Sequence, residues 1–183
     1  LNQKQMKNLI IYLGVVLCAA ACNNKPATET PAAASAVAEG DYPYTLKEPY
    51  KKWQTGSEQN TLIVLKMLKA WETKSAEESA SYFADTVDMT LDMFQQKMPK
   101  DSIISFLKTG YVNYNNLKVT MQDWESVISE DKKDEWVTVW YKQSWVNAKG
   151  VADSVNCIND VKIENGKIVK FDEYVQHFPA ARK

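Results

Sequence analysis

The chain has 183 residues, 45% of them hydrophobic and 25% charged, with a formal net charge of −1. That length suits one domain, and that composition excludes a disordered or collagen-like chain. No basic patch stands out, which argues against a nucleic-acid partner.

The first segment reads as an export leader. Lys4 and Lys7 precede an apolar run from Leu9 to Ala21. A membrane-spanning helix needs about 20 apolar residues, so this run is too short to span but fits a signal peptide over residues 1–21. Met6 is read as its start. Ala19, Ala20 and Ala21 set small side chains before Cys22, where lipoprotein processing acylates a thiol. The usual motif prefers Leu where Ala19 stands, so an ordinary secretory cut after Ala21 is the alternative. The expectation is a lipid anchor at Cys22 and a domain in the bacterial cell envelope, outside the cytoplasm. Removing Lys4 and Lys7 from the 22 basic residues leaves 20 against 23 acidic ones, a net charge of −3 for the processed chain. With Cys18 removed and Cys22 acylated, Cys157 is the one free thiol, and the fold must rest on packing without a disulfide. One histidine and one such thiol exclude a His/Cys metal site, and no cofactor motif is present.

Residues 22–40 carry the lipidated cysteine and a stretch rich in Ala, Pro, Thr and Glu, too poor in large apolar groups to offset its ordering entropy. It reads as a tether. Residues 41–56 form an arm in which Tyr42, Tyr44, Tyr50 and Trp53 alternate with Pro43, Pro49 and lysines. Either the aromatics pack on the domain or they meet a partner.

A domain follows over residues 57–178, with a tail at 179–183. Ser57 offers an N-cap to a helix whose stripe is Val64, Met67, Leu68 and Trp71. Ser75 and Glu78 have capping-box spacing for a second, short helix that buries Ala80 and Phe83. Val87, Met89, Leu91 and Met93 then alternate with polar residues, which predicts a strand. Ile103, Phe106 and Leu107 mark a third helix, closed by Gly110 as a C-cap. From Asn116 onward the pattern is all strand, in four long runs. A charged turn spans Glu130 to Asp134, and Ala148–Gly150 turns the chain again. Asn165–Gly166 has the chemistry of a type I′ hairpin. Helices segregated from strands predict an α+β fold, with a long curved antiparallel sheet folded around about three N-terminal helices.

This order resembles the nuclear transport factor 2-like superfamily, especially its SnoaL-like branch. The stretches that carry the resemblance are YFADTVDMTL at 82–91, DSIISFL at 101–107, WVTVW at 136–140 and NGKIVKFDEY at 165–174. The resemblance implies a cone enclosing a pocket and leaves open enzymatic, ligand-binding and accessory roles, homodimers among them.

Strand parity points to pocket residues. Val137, Val139, Tyr141, Gln143 and Trp145 share one face; Cys157, Asn159 and Val161 share another. Val169, Phe171, Glu173 and Val175 share a third, and Val119, Met121 and Asp123 a fourth. The candidate ligand pocket is therefore Tyr141, Gln143, Trp145, Asn159 and Glu173. Glu173 and Asp123 are the candidates for a catalytic carboxylate, because a desolvated carboxylate suits acid–base work. A bulge near Glu125 would exchange Asp123 for Trp124. His177, at the end of the last strand, reads as a surface residue. The ketosteroid isomerase set of an Asp base with a Tyr and a protonated Asp cannot be assigned in full; Asp172 or Glu173 beside Tyr174 is a loose echo. The expected function is a cell-envelope lipoprotein whose domain binds a small hydrophobic ligand or a protein partner. The alternative is a metal-independent isomerase, cyclase or hydrolase that uses a pocket carboxylate.

Overall fold

The structure is a computed structural model and describes residues 42–178. The leader, Cys22, the segment to residue 40 and the tail at 179–183 lie outside the described residues. The chain divides into two units, one up to Lys47 and one from Glu48 onward. Of the first, only residues 42–47 are described; Tyr42, Tyr44 and Leu46 are exposed there. No described helix is long and apolar enough to cross a membrane.

The second unit begins with the arm. Lys51 Nζ lies 3.1 Å from Asp134 and Lys52 Nζ lies 3.2 Å from Glu130, while the Glu130 amide donates to the Lys51 carbonyl at 3.0 Å. Tyr50 stays exposed. Backbone and lysines hold this part of the arm, and its tyrosine does not pack down. Strand β1 (Gln54–Thr55) then pairs with β4 (Asn115–Ile128).

Helix α1 (Glu58–Glu72) starts where Ser57 caps it, with Ser57 Oγ accepting from the amides of Gln59 at 3.1 Å and Asn60 at 3.4 Å. Val64, Met67 and Leu68 are buried, as the stripe requires. Helix α2 (Ala76–Ser81) forms without the capping box: the Ser75 side chain makes no cap hydrogen bond. An ion pair between Glu77 and Lys108 ties α2 to α3 (Lys100–Gly110). Gly110 is helical, with φ −65°, and the chain runs straight into a 3₁₀ turn at Tyr111–Asn113. The expected left-handed cap is therefore not used.

Strand β2 (Phe83–Leu91) begins earlier than the pattern suggested, so Phe83 is buried from a strand instead of a helix. Met93 is 88% exposed in the turn that leads into β3 (Phe94–Pro99). That turn ends the alternation at Leu91. Strands β5 (Glu135–Val146), β6 (Ala152–Glu164) and β7 (Lys167–His177) complete a sheet of seven strands, in the order β1-β4-β5-β6-β7-β2-β3. Asn165 and Gly166, with φ 51° and 71°, make the expected turn between β6 and β7.

The sheet is mixed, because β2 runs parallel to β7. An all-antiparallel sheet was expected. The parallel pair arises because β2 is reached through the helices, which lets it dock beside the last strand. The result is the curved α+β cone. Its inner face meets α1 in one core that includes Val64, Met67, Leu68, Val137, Val139, Val161 and Ile168.

Two bulges reset side-chain parity. In β4, Met121 faces Tyr141 and Asp123 faces Trp140, so Gln122 is the extra residue. In β7, Ile168 faces Ile163 and Lys170 faces Lys162, so Val169 is extra and Ile168 takes the inner position expected of Val169.

Candidate functional site

The cone holds a partly open cavity of about 240 Å³. Its walls come from α1, α2, α3, the chain before β4, and the inner faces of β2, β5 and β7. Most of them are apolar, as the helix stripes and inner strand positions dictate. The polar residues on the wall are Ser79, Asn113, Tyr114, Tyr141, Gln143 and Glu173, and the last three stand together on β5 and β7, either side of β6.

Register explains that cluster. Asn159 pairs with Val139 on one side and with Glu173 on the other, and Tyr141 pairs with Cys157 one step along. Tyr141 therefore reaches Glu173 diagonally across the sheet. Its hydroxyl lies 3.4 Å from Glu173 Oε2, and Asn159 Nδ2 lies 3.5 Å from the same oxygen. Both are at the long end of hydrogen-bond range. Asn159 is fully buried, and its Oδ1 is unpartnered among the described residues. Glu173 is half-buried and faces the cavity.

Loss of solvent raises the Glu173 pKa. The contacts from Asn159 and Tyr141 oppose that effect without cancelling it, and the charge on Asp92 adds to it. Burial also pushes the Tyr141 hydroxyl well above its ordinary value and the Cys157 thiol up to about 12, with the nearby Glu173 charge acting the same way on both. Tyr114 is raised by burial and then by Glu173. The tyrosines are therefore protonated donors at neutral pH, and the thiol is inert. Glu173 is the carboxyl of this cluster, and loss of solvent makes it hold its proton more tightly than a free glutamate.

An aromatic cluster closes one side. Trp71 Nε1 donates to Gln143 Oε1 at 2.9 Å. Tyr114 stands edge-on to Trp71 at 5.4 Å and to Trp145 at 5.1 Å. Tyr141, Gln143 and Glu173 thus line the cavity, Asn159 supports Glu173 from below, and Trp145 packs behind Tyr114 without reaching the cavity. Asp123 is elsewhere. The Gln122 bulge turns it to the outer face opposite Trp140, where it is exposed and accepts from the Trp124 amide at 2.8 Å. The bulge falls just before Asp123, not near Glu125, and it removes Asp123 from the site. His177 is exposed and lies 3.1 Å from Asp92, joining the end of β7 to the turn after β2. Among the described residues no group of three His, Cys, Asp or Glu is arranged to hold a metal.

Parity reasoning missed the walls supplied by other elements: Phe83, Met89 and Leu91 from β2, Phe106 from α3, and Tyr114. The alternation in β2 and the stripe in α3 mark those residues as apolar and inward. Nothing local marks Tyr114, which sits in an irregular connection.

No family model and no curated protein matches the sequence. Solved structures do match in fold. A nuclear transport factor 2-like protein of unknown function from Burkholderia pseudomallei superposes with a TM-score of 0.55 at 14% identity, covering 66% of this chain and 92% of that one. A second such protein of unknown function, from Exiguobacterium, gives 0.52 at 16% identity, covering 62% and 98%. A protein of ketosteroid isomerase-like fold from Catenulispora acidiphila, solved in complex with trimethylamine, gives 0.52 at 15% identity, covering 61% and 83%. The element order, the mixed seven-stranded cone and these superpositions agree: the chain has the nuclear transport factor 2-like fold.

Proposed function

We propose that this protein is a lipid-anchored component of the bacterial cell envelope, held at Cys22, whose domain binds a small and mostly apolar molecule inside the cone. The observation that carries this reading is the cavity of about 240 Å³ with a single carboxylate, Glu173, set among apolar walls. That volume lies below the roughly 300–1,000 Å³ of pockets for drug-sized ligands, so the ligand is small. Apolar walls supply affinity, and Glu173 with the Tyr141 hydroxyl fixes orientation. Methyl-labelled methionine NMR tests the reading, with p-cresol as the probe. Met67 and Met89 line the cavity, whereas Met93 is exposed in the turn before β3. Shifts at Met67 and Met89 with Met93 unmoved are expected. Equal shifts at all three, or none, would remove the binding reading.

A second reading is favoured by the long contacts to Glu173 Oε2. A carboxylate with a raised pKa beside a tyrosine donor can take a proton from a carbon acid while the hydroxyl stabilises the oxyanion. This is the chemistry of an isomerase or cyclase that needs no metal. Deuterium incorporation next to the carbonyl of added cyclohexenone, abolished in Glu173→Gln, is its expected signature.

A further inference from the structure

We infer that the ligand of this cavity is a methylated ammonium ion, tertiary or quaternary, seated between the Glu173 carboxylate and the aromatic walls. The inference rests on the cavity-binding reading above and names its ligand class.

The first observation is charge. Glu173 is the one carboxylate on the cavity wall, and no Lys, Arg or His lines the cavity among the described residues. A carboxylate taken from water without a cationic partner is costly. Its two protein contacts are long and both fall on Oε2, which leaves Oε1 for a ligand. A cation in the cavity supplies the missing partner.

The second observation is the walls. Trp71, Phe83, Tyr114 and Phe171 all line the same space as Glu173. Aromatic faces attract cations through their quadrupole, and most strongly when water is excluded. A neutral apolar ligand would use the rings but leave the carboxylate unpaired.

The third observation concerns acceptors, and it selects the type of cation. A primary ammonium carries three N–H donors, each needing an acceptor. Here Gln143 Oε1 is already taken by Trp71 Nε1. Ser79, Asn113, Tyr114 and Tyr141 also line the cavity and can accept, but most of its wall is apolar or aromatic, and a primary amine would leave that surface unused. A bare metal ion also fits poorly, because it demands several oxygen ligands. A methylated ammonium presents mostly methyl groups, which suit rings and methionines, and spreads its charge over them. The raised pKa of Glu173 agrees with a site that lacks its cation.

Isothermal titration calorimetry on the full protein tests this with choline and its neutral isostere 3,3-dimethylbutan-1-ol. Choline is expected to bind at least tenfold more tightly than the isostere. Glu173→Gln should lower choline affinity at least tenfold and leave the isostere unchanged. Tyr114→Leu, which keeps the carboxylate, should weaken choline several-fold, and thermal melting checks that both variants fold. Equal affinity for choline and the isostere, or a Glu173→Gln variant that binds choline normally, would overturn the inference. Binding of p-cresol at Met67 and Met89 would then still stand, so failure of the ligand class is separable from failure of the cavity reading. Absence of choline binding would also overturn it.

Discussion

Glu173 and Asn159 face each other because the register of β6 and β7 makes them direct cross-strand neighbours. The carboxyl of Glu173 titrates above its ordinary value of 4.5 because burial outweighs the help of Asn159 and Tyr141. The groups that face it are Tyr141 on β5, Asn159 and Cys157 on β6, Tyr114 before β4, and Asp92 after β2. A folded-state pKa raised above the unfolded value means that the folded protein holds the proton more tightly. This contribution to stability is full below the ordinary glutamate range and is lost as pH rises through the raised value. Glu173→Gln should therefore keep or raise stability at neutral pH and flatten the fall in stability above about pH 4.5. Urea denaturation across that pH range reads the slope. An unchanged slope would place the carboxyl in free solvent.

At the scale of elements, two glycines serve for different reasons. Gly56 joins β1 to α1 where a Cβ would sit 2.2 Å from Ser126 Oγ and 2.9 Å from the Val127 backbone nitrogen. Gly56→Ala must push β1 away from β4, at a cost of roughly 1–3 kcal/mol. Gly166 has φ +71° and nothing within 4 Å of an added Cβ. Gly166→Ala therefore costs only the backbone penalty of a left-handed residue, about 1–2 kcal/mol. Chemical denaturation of both variants should show the two losses. Adding Asn165→Gly to Gly166→Ala should recover part of the turn, whereas no neighbouring glycine rescues Gly56→Ala. Strand β3 belongs to this scale too. FQQKMP holds apolar residues only at Phe94 and Met98, so an edge strand paired on one side shows no alternation worth reading. The two-residue β1 is shorter than any periodic signal.

For the whole molecule, one core carries the stability, with Cys157 as the free, buried thiol of the described residues. Val139 is fully buried at its centre. Val139→Asp places an uncompensated charge there, which costs roughly 3–5 kcal/mol. That is a large share of the 5–15 kcal/mol of a typical domain, so circular dichroism should show loss of the folded state at room temperature. At the same scale, Cys22→Ala should release the protein from the membrane fraction. Each buried CH₂ of an acyl chain contributes about 0.8 kcal/mol to anchoring, and the substitution removes the chains together. Retention of Cys22→Ala in the membrane would dismiss the anchor.

Period and turn chemistry alone determined the helix faces of α1 and α3, the long strands β4 to β7, the Asn165–Gly166 turn and the α+β order, because those signals are local. Parity brought Tyr141, Gln143, Asn159 and Glu173 to the inner face for the same reason. Tertiary structure decided the rest. Asp123 left the site through a one-residue bulge at Gln122, and Ile168 replaced Val169 through another. Neither bulge has a sequence signature, yet each reverses the side chains on one side of it: those after Gln122 in β4, and those before Val169 in β7. The parallel pairing of β2 with β7, which brings Phe83 and Met89 to Phe171 and Glu173, joins segments some eighty residues apart. No local preference encodes that contact. Pairing there satisfies the backbone groups along the free edge of β7 and places Val87 and Met89 in the core.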